Sequence, residues 1–295
     1  MSAARKISTD DVISRLEELP TLPTIVHELS QIINDPMCST TDIESLMSSD
    51  QSLTVKVLKL VNSAYYAIPG GVSNVARAIA YLGYDTVYQL VLSASILDAL
   101  GTQSCDEFNI KEFWKHSLGV AVASETIGKW CRHPQPADLF TCGLVHDMGK
   151  IALYSLSKET FLQVVAGTRA GALSYREAEI EIDVPRHTQI GFRLAQRWRL
   201  PGQIQAVVKW HHQKEASLRG GLSADLNATV DTVYLANLLT HALKFGNSGH
   251  LKIAGAPMEV MGRLAINPQT DLKKLLLEIK SGLDRASDFL RVLGG

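Results

Sequence analysis

Cysteine is scarce in this chain. The four residues, at 38, 105, 131 and 142, form no CxxC pair. That scatter fits reduced thiols in a cytosolic protein better than a disulfide framework or a zinc knuckle. No stretch approaches the roughly 18 to 20 continuous apolar residues of a membrane span. The opening "MSAARKISTDDVISRLEELP" lacks an apolar h-region, so no secretory signal is expected. Charge of either sign is not in excess: 29 Lys and Arg face 30 Asp and Glu, for a net charge of -1. A dedicated nucleic-acid binder usually carries a basic surplus, so that class is disfavoured, although a local basic patch is not excluded. Valine-rich alternating segments, low-complexity tracts and internal repeats are also missing. What remains is a cytoplasmic protein of 295 residues, long enough for one large or two ordinary domains.

The pattern that is present is helical. "DDVISRLEELP" repeats apolar residues at three- and four-residue steps through Val12, Ile13, Leu16 and Leu19. "TLPTIVHELSQIINDP" does the same through Ile25, Val26, Leu29, Ile32 and Ile33. Ser39, Thr40 and Thr41 are N-cap candidates for the next helix, with Glu44 spaced from Thr41 as in a capping box. Ser49 or Asp50 caps the one after. "VSNVARAIAYLGYDTVYQLVLSASILDAL" is helical with a break at Gly83. A boundary is expected in the polar "LGTQSCDEFN", giving an N-terminal helical subdomain over 1–105 and a second helical unit over 106–295. "QKEASLRGGLSADLN" reads as a loop over the site. "DLKKLLLEIKSGLDRASDFLRVL" is an amphipathic terminal helix that docks on the body or mediates dimerisation. Trp114, Trp198, Trp210 and "NSAYY" read as packing. The fold class is all-α.

Chemistry concentrates in histidine. Of nine, His27, His133, His241 and His250 look scattered, while His116, His146, His187, His211 and His212 fall in or at the ends of strong helices of the second half. Any one alone is usually a satisfied core or surface group. As a set they differ. "GLVHDMGKIAL" places His146 and Asp147 side by side in an apolar run, where an unpartnered charge is costly. On a helix the two project about 100° apart and converge on a point between them. Gly149 is placed to end that helix, whose C-terminal dipole favours a cation. Imidazole plus carboxylate without thiolate suits Fe, Mn, Zn, Ni or Co rather than Ca. "WHH" ends another helix, and His187 opens one after Pro185. Several helices each giving a ligand to a bundle interior is an established way to build a metal site.

"FWKHSLGVAVAS", "FTCGLVHDMGKIAL", "DVPRHTQIGFRLAQRWRLPGQI" and "VVKWHHQ" resemble the HDOD domain, a bacterial relative of the HD phosphohydrolases. "LPTLPTIVHELSQIINDP", "SSDQSLTVKVLKLVNSAYY" and "VSNVARAIAYLGYDTV" resemble its helical lead-in, so the likeness spans about residues 10–250. The resemblance implies an HD-type helical bundle packed on an N-terminal helical subdomain. It implies metal ligands at His116, His146, Asp147, His187, His211 and His212, holding one or two divalent transition ions, with iron foremost. It also implies catalytic positions at Asp147 and Lys150, the lysine being suited to a substrate phosphate. Two departures stand out. The last carboxylate of the HD pattern is matched by Asn237, an amide that can ligate through oxygen but brings no charge. Asp231, six residues earlier on the same helix, points about 240° around the axis. No "GYP", the recognition element of the HD-GYP relatives that cleave cyclic di-GMP, follows "HHQKEASLRGGL".

These departures favour a signalling or regulatory protein that retains a metal site. It would act on signalling proteins or a nucleotide second messenger, without a membrane and with a homodimer possible. The rival is an active metal-dependent phosphohydrolase or phosphodiesterase acting on a nucleotide or cyclic dinucleotide. A third reading is a metal-free scaffold whose histidines only share hydrogen bonds.

Overall fold

In the computed structural model, described for residues 7–101, 103–169, 173–255 and 257–293, the chain is helical throughout with no strand among those residues. The first part holds α1 (Thr9–Ser14), α2 (Thr24–Ile33), α3 (Thr40–Ser48), α4 (Gln51–Val61) and the long α5 (Val75–Leu100). Ser39 is the N-cap of α3, bonded reciprocally with Asp42, so the first of the three capping candidates is used and Asp42, not Glu44, completes the box. Asp50 caps α4 through the Leu53 amide. Gly83 interrupts α5 with φ +81°, a conformation open to glycine and costly to residues with a Cβ.

The second part follows as α6 (Ile110–Trp130), α7 (Pro136–Val145), α8 (Met148–Leu156), α9 (Lys158–Thr168), α10 (Tyr175–Glu181), α11 (His187–Arg197), α12 (Gly202–Trp210), α13 (Ala224–Ala242), α14 (Met258–Arg263), α15 (Leu272–Arg285) and α16 (Phe289–Leu293). Helix α6 is the spine. Residues 116–124 are fully shielded, because "HSLGVAVAS" offers only small or medium side chains to neighbours on every side. Helices α7, α13 and α15 pack against it. The terminal helix docks on the body: Leu275, Ile279 and Leu283 are buried, and Gly282 sits so close to Val122 that a Cβ would lie 2.7 Å from its methyl. One hydrophobic cluster runs from Val12 to Phe289, across the boundary expected at 105. Burial of that apolar area is the main stabilising contribution, at about 25 cal/mol per Å². No helix among the described residues is long and apolar enough to cross a membrane.

Two local expectations are corrected. Gly149 does not end a helix. It lies inside α8, where a Cβ would stand 1.9 Å from the His187 carbonyl oxygen, so it lets α8 and α11 touch backbone to backbone. His146 and Asp147 do not share a helix either: His146 caps the C-terminus of α7 and Asp147 the N-terminus of α8. A corner between two helices, rather than one helical face, aims both inward.

Candidate metal centre

The expected residues converge. His116 comes from the middle of α6, His146 and Asp147 from the α7–α8 corner, His187 from the first position of α11, His211 and His212 from the end of α12, and Asn237 from α13. Asp147 is central. Its Oδ2 lies 3.2 Å from His146 Nε2, and its Oδ1 lies 3.3 Å from the Nε2 atoms of both His187 and His211. Two ligand groups result, Asp147 with His187, His211 and His212, and His116 with His146 and Asp147, so the carboxylate is common to both.

The protons decide what these atoms can do. His146 donates Nδ1–H to the Gly143 carbonyl at 2.7 Å, His211 to the Val207 carbonyl at 3.0 Å, and His187 to the Glu179 carboxylate at 2.9 Å. With that N–H spent, the Nε2 of each neutral imidazole offers a lone pair, and that of His187 also lies 3.1 Å from His212 Nε2. The His187 and His211 Nε2 atoms then face each other at 3.4 Å, acceptor to acceptor. His146 Nε2 and Asp147 Oδ1 are buried without a hydrogen-bond partner. An orphaned buried polar atom costs about 1 to 3 kcal/mol. A cation among these lone pairs removes that cost, so the donor set fits a borderline transition ion.

Charge is also arranged. Burial alone would raise Asp147, but the Lys150 ammonium at 2.7 Å holds the carboxyl well below its usual range. Burial pushes His211 down to about 4 despite the pull of Asp147, and pushes His212 down with help from His211 and His187. Burial and the neighbouring His146 bring His116 to about 3. These rings are therefore neutral at pH 7, as metal ligation requires.

Two groups are engaged in ways that bear on catalysis. Lys150 is buried, with Nζ 2.7 Å from Asp147 Oδ2 and 3.1 Å from the Ser248 carbonyl, over the Tyr175 ring at 4.5 Å. Asn237 Oδ1 accepts a hydrogen bond from His116 Nε2 at 2.9 Å. The His116 proton is thus on Nε2, and its Nδ1 has no partner. Asp231 faces away as its spacing requires, clamped at 2.6 Å by both the buried Arg219 and Arg263.

A family comparison follows from this arrangement. The sequence profile of the HDOD domain matches residues 19–214. The chain belongs to the HDOD domain family. An HDOD domain protein of unknown function from Geobacter sulfurreducens is 26% identical, superposes with a TM-score of 0.77, and shares 95% of this chain and 98% of its own. A phosphohydrolase candidate from Shewanella amazonensis SB2B has a TM-score of 0.71 at 19% identity, with coverage of 96% and 97%. A signal transduction protein candidate from Marinobacter aquaeolei VT8 has a TM-score of 0.76 at 18% identity, covering 100% of this chain and 63% of its own. The last two establish likeness of fold. The chain spans about half (51%) of the curated relative it matches, an uncharacterized protein of Treponema pallidum (strain Nichols), at 23% identity over 280 residues and 92% of this chain.

In this HDOD chain the cavity at the cluster, about 150 Å³, is lined by His211, His212, Tyr234, Asn237, His241 and His250 among others. Its outer edge is a strap, residues 244–255, and not the loop after His212 expected to cover it. That loop instead buries Arg219 against Asp231. The strap closes over α6 at Gly246 (φ +74°), where a Cβ would stand 2.2 Å from the His116 amide nitrogen. Asn247 N–H donates to the Glu112 carbonyl, Thr168 Oγ1 to the Gly249 carbonyl, and Lys252 pairs with Glu177 at 2.8 Å. His241 and His250, which look scattered in sequence, form a stack with His116, each step 4.2 Å between ring centres. His241 stands on α13, one turn after Asn237, while His250 is placed by the loop closure and nothing in its local sequence marks it. Glu179 also escapes notice, standing between Glu177 and Glu181 in an apparently solvated stretch. It is fully buried beneath His187.

Proposed function

We propose that this is a cytoplasmic HDOD signalling protein with a metal-binding HD-type site, working by interaction with a ligand or protein partner rather than by turnover. The observation that carries the reading is the ring of three Nε2 lone pairs, from His146, His187 and His211, turned on one carboxylate by hydrogen bonds at the far side of each imidazole. A divalent ion held there would polarise water and phosphoryl oxygens. Asp147, His187, His211 and His212 would hold it, with His146 against the other oxygen of Asp147. His116 contributes less while Asn237 keeps its Nε2 protonated, and Lys150 is committed to Asp147 and Ser248 rather than free for a phosphate. The Marinobacter relative's description as a candidate signal transduction protein agrees with this reading.

The test is metal quantification after anaerobic purification with iron supplied. Near-stoichiometric metal that is lost in His146→Ala supports the site; a metal-free wild-type protein sinks it. The second reading, an active phosphohydrolase, has its own observation: Asp147 belongs to two ligand groups, the arrangement a two-ion centre needs. Protein loaded with iron or manganese that leaves both a generic phosphodiester and cyclic di-GMP intact eliminates that reading.

A further inference from the structure

The three imidazoles around Asp147 are oriented by unlike acceptors. His146 and His211 give Nδ1–H to carbonyls of their own helices, three and four residues back. His187 has no such option. It is the first residue of α11, and no helical turn precedes it. A histidine in that position needs an acceptor from elsewhere in the fold. Glu179, at the end of α10, supplies it: its Oε1 accepts both the backbone N–H of His187 at 2.7 Å and Nδ1–H at 2.9 Å, and Oε2 also lies 2.9 Å from Nδ1.

A second difficulty is met by the same group. The N-terminus of a helix carries partial positive charge and disfavours a cation close by. α11 presents this end directly behind His187. A fully buried carboxylate on the first amide of the helix offsets that charge and leaves the imidazole a stronger donor at Nε2, as carboxylate–histidine pairs do at metal sites. The contact is also rigid. Tyr175 packs edge-on against the His187 ring at 5.5 Å, and the His187 carbonyl lies on Gly149.

We infer that Glu179 is the positioning residue for His187, holding its ring as the Nδ1–H tautomer with the Nε2 lone pair turned to Asp147 and countering the α11 N-terminus beside the cation. This rests on the metal reading above, and its test separates the two. In the metal-free full chain labelled with 15N-histidine, His187 should report the Nδ1–H tautomer, and Glu179→Ala should abolish it. In competition between protein and chelator for Co²⁺, Glu179→Gln, which keeps an acceptor but not the charge, should bind about tenfold more weakly. Glu179→Ala should lose up to about a hundredfold, with a shifted Co²⁺ ligand-field absorption in both. An Nε2–H tautomer at His187 in the wild type overturns the inference without reference to metal. So do equal Co²⁺ affinities and unchanged absorption in all three proteins. A wild type that takes up no Co²⁺, yet shows the Nδ1–H tautomer and loses it in Glu179→Ala, supports the positioning role and removes the metal reading.

Discussion

Gly149→Ala places a single methyl at the crossing of α8 and α11. The new Cβ would meet the His187 carbonyl oxygen at 1.9 Å and the Gly191 nitrogen at 2.7 Å, where an ordinary contact begins at 3.4 Å. The shortfall of about 1.5 Å falls on backbone, which has no rotamer to turn away. Overpacking of this kind costs about 1 to 3 kcal/mol, and the rigid neighbour puts it near the top of the range. Alanine recovers about 1 kcal/mol of helix propensity, so a net loss of about 2 kcal/mol is expected. The same displacement moves His187, whose Nε2 now lies 3.3 Å from Asp147 Oδ1. Metal–ligand distances tolerate only about 0.2 Å, so metal affinity should fall together with stability. Gly262→Ala is the control: it also lies in a helix, with nothing within 4 Å of a Cβ, and should gain about 0.5 to 1 kcal/mol. Urea unfolding of metal-free protein and chelator competition measure the two effects. If Gly149→Ala matches the wild type in both, or Gly262→Ala loses as much, the close-approach argument is refuted.

Asp231→Ala should cost about 3 to 5 kcal/mol in the same unfolding assay, because it leaves the buried Arg219 without its carboxylate. Asn237→Asp should raise the metal bound per chain, since a carboxylate 2.9 Å from His116 Nε2 restores a charged ligand; unchanged metal content would show that position 237 does not limit occupancy. Lys252→Met should change stability by no more than about 0.5 kcal/mol, the Lys252–Glu177 pair being solvent-exposed. A larger loss would mean that the strap depends on this pair rather than on its buried contacts.

The sequence carried the all-helical pattern because three- and four-residue apolar steps report burial directly. It also carried the histidine set, since His187 and His211–His212 stand at helix ends that local signals mark and His146–Asp147 interrupt an apolar run. What it did not carry depends on tertiary closure. Glu179 reads as one more surface glutamate until α10 is seen folded under His187. His241 stands on α13 one turn after Asn237 and meets His116 through helix packing, and His250 joins them only because the strap returns over α6. Gly149 looks like a stop signal, and only the approach of α11 shows that its missing side chain is a contact surface. The corner between α7 and α8 was hidden for a related reason: its residues are apolar on both sides, so the period runs on through the bend.

The double clamp on Asp231 has a mechanical consequence for the strap. Arg263 at the end of α14 and Arg219 in the loop before α13 grip one carboxylate on α13. The strap leaves from the far end of α13 and returns at the start of α14, so it is a span between two fixed abutments and not a free arm. Between them residues 244–255 are also tied down midway, at Asn247 on the Glu112 carbonyl, at Ser248 on Lys150 and at Gly249 on Thr168. The cover over the histidine stack is therefore a fixed roof held along its length, in which the exposed Lys252–Glu177 pair is one tie among several.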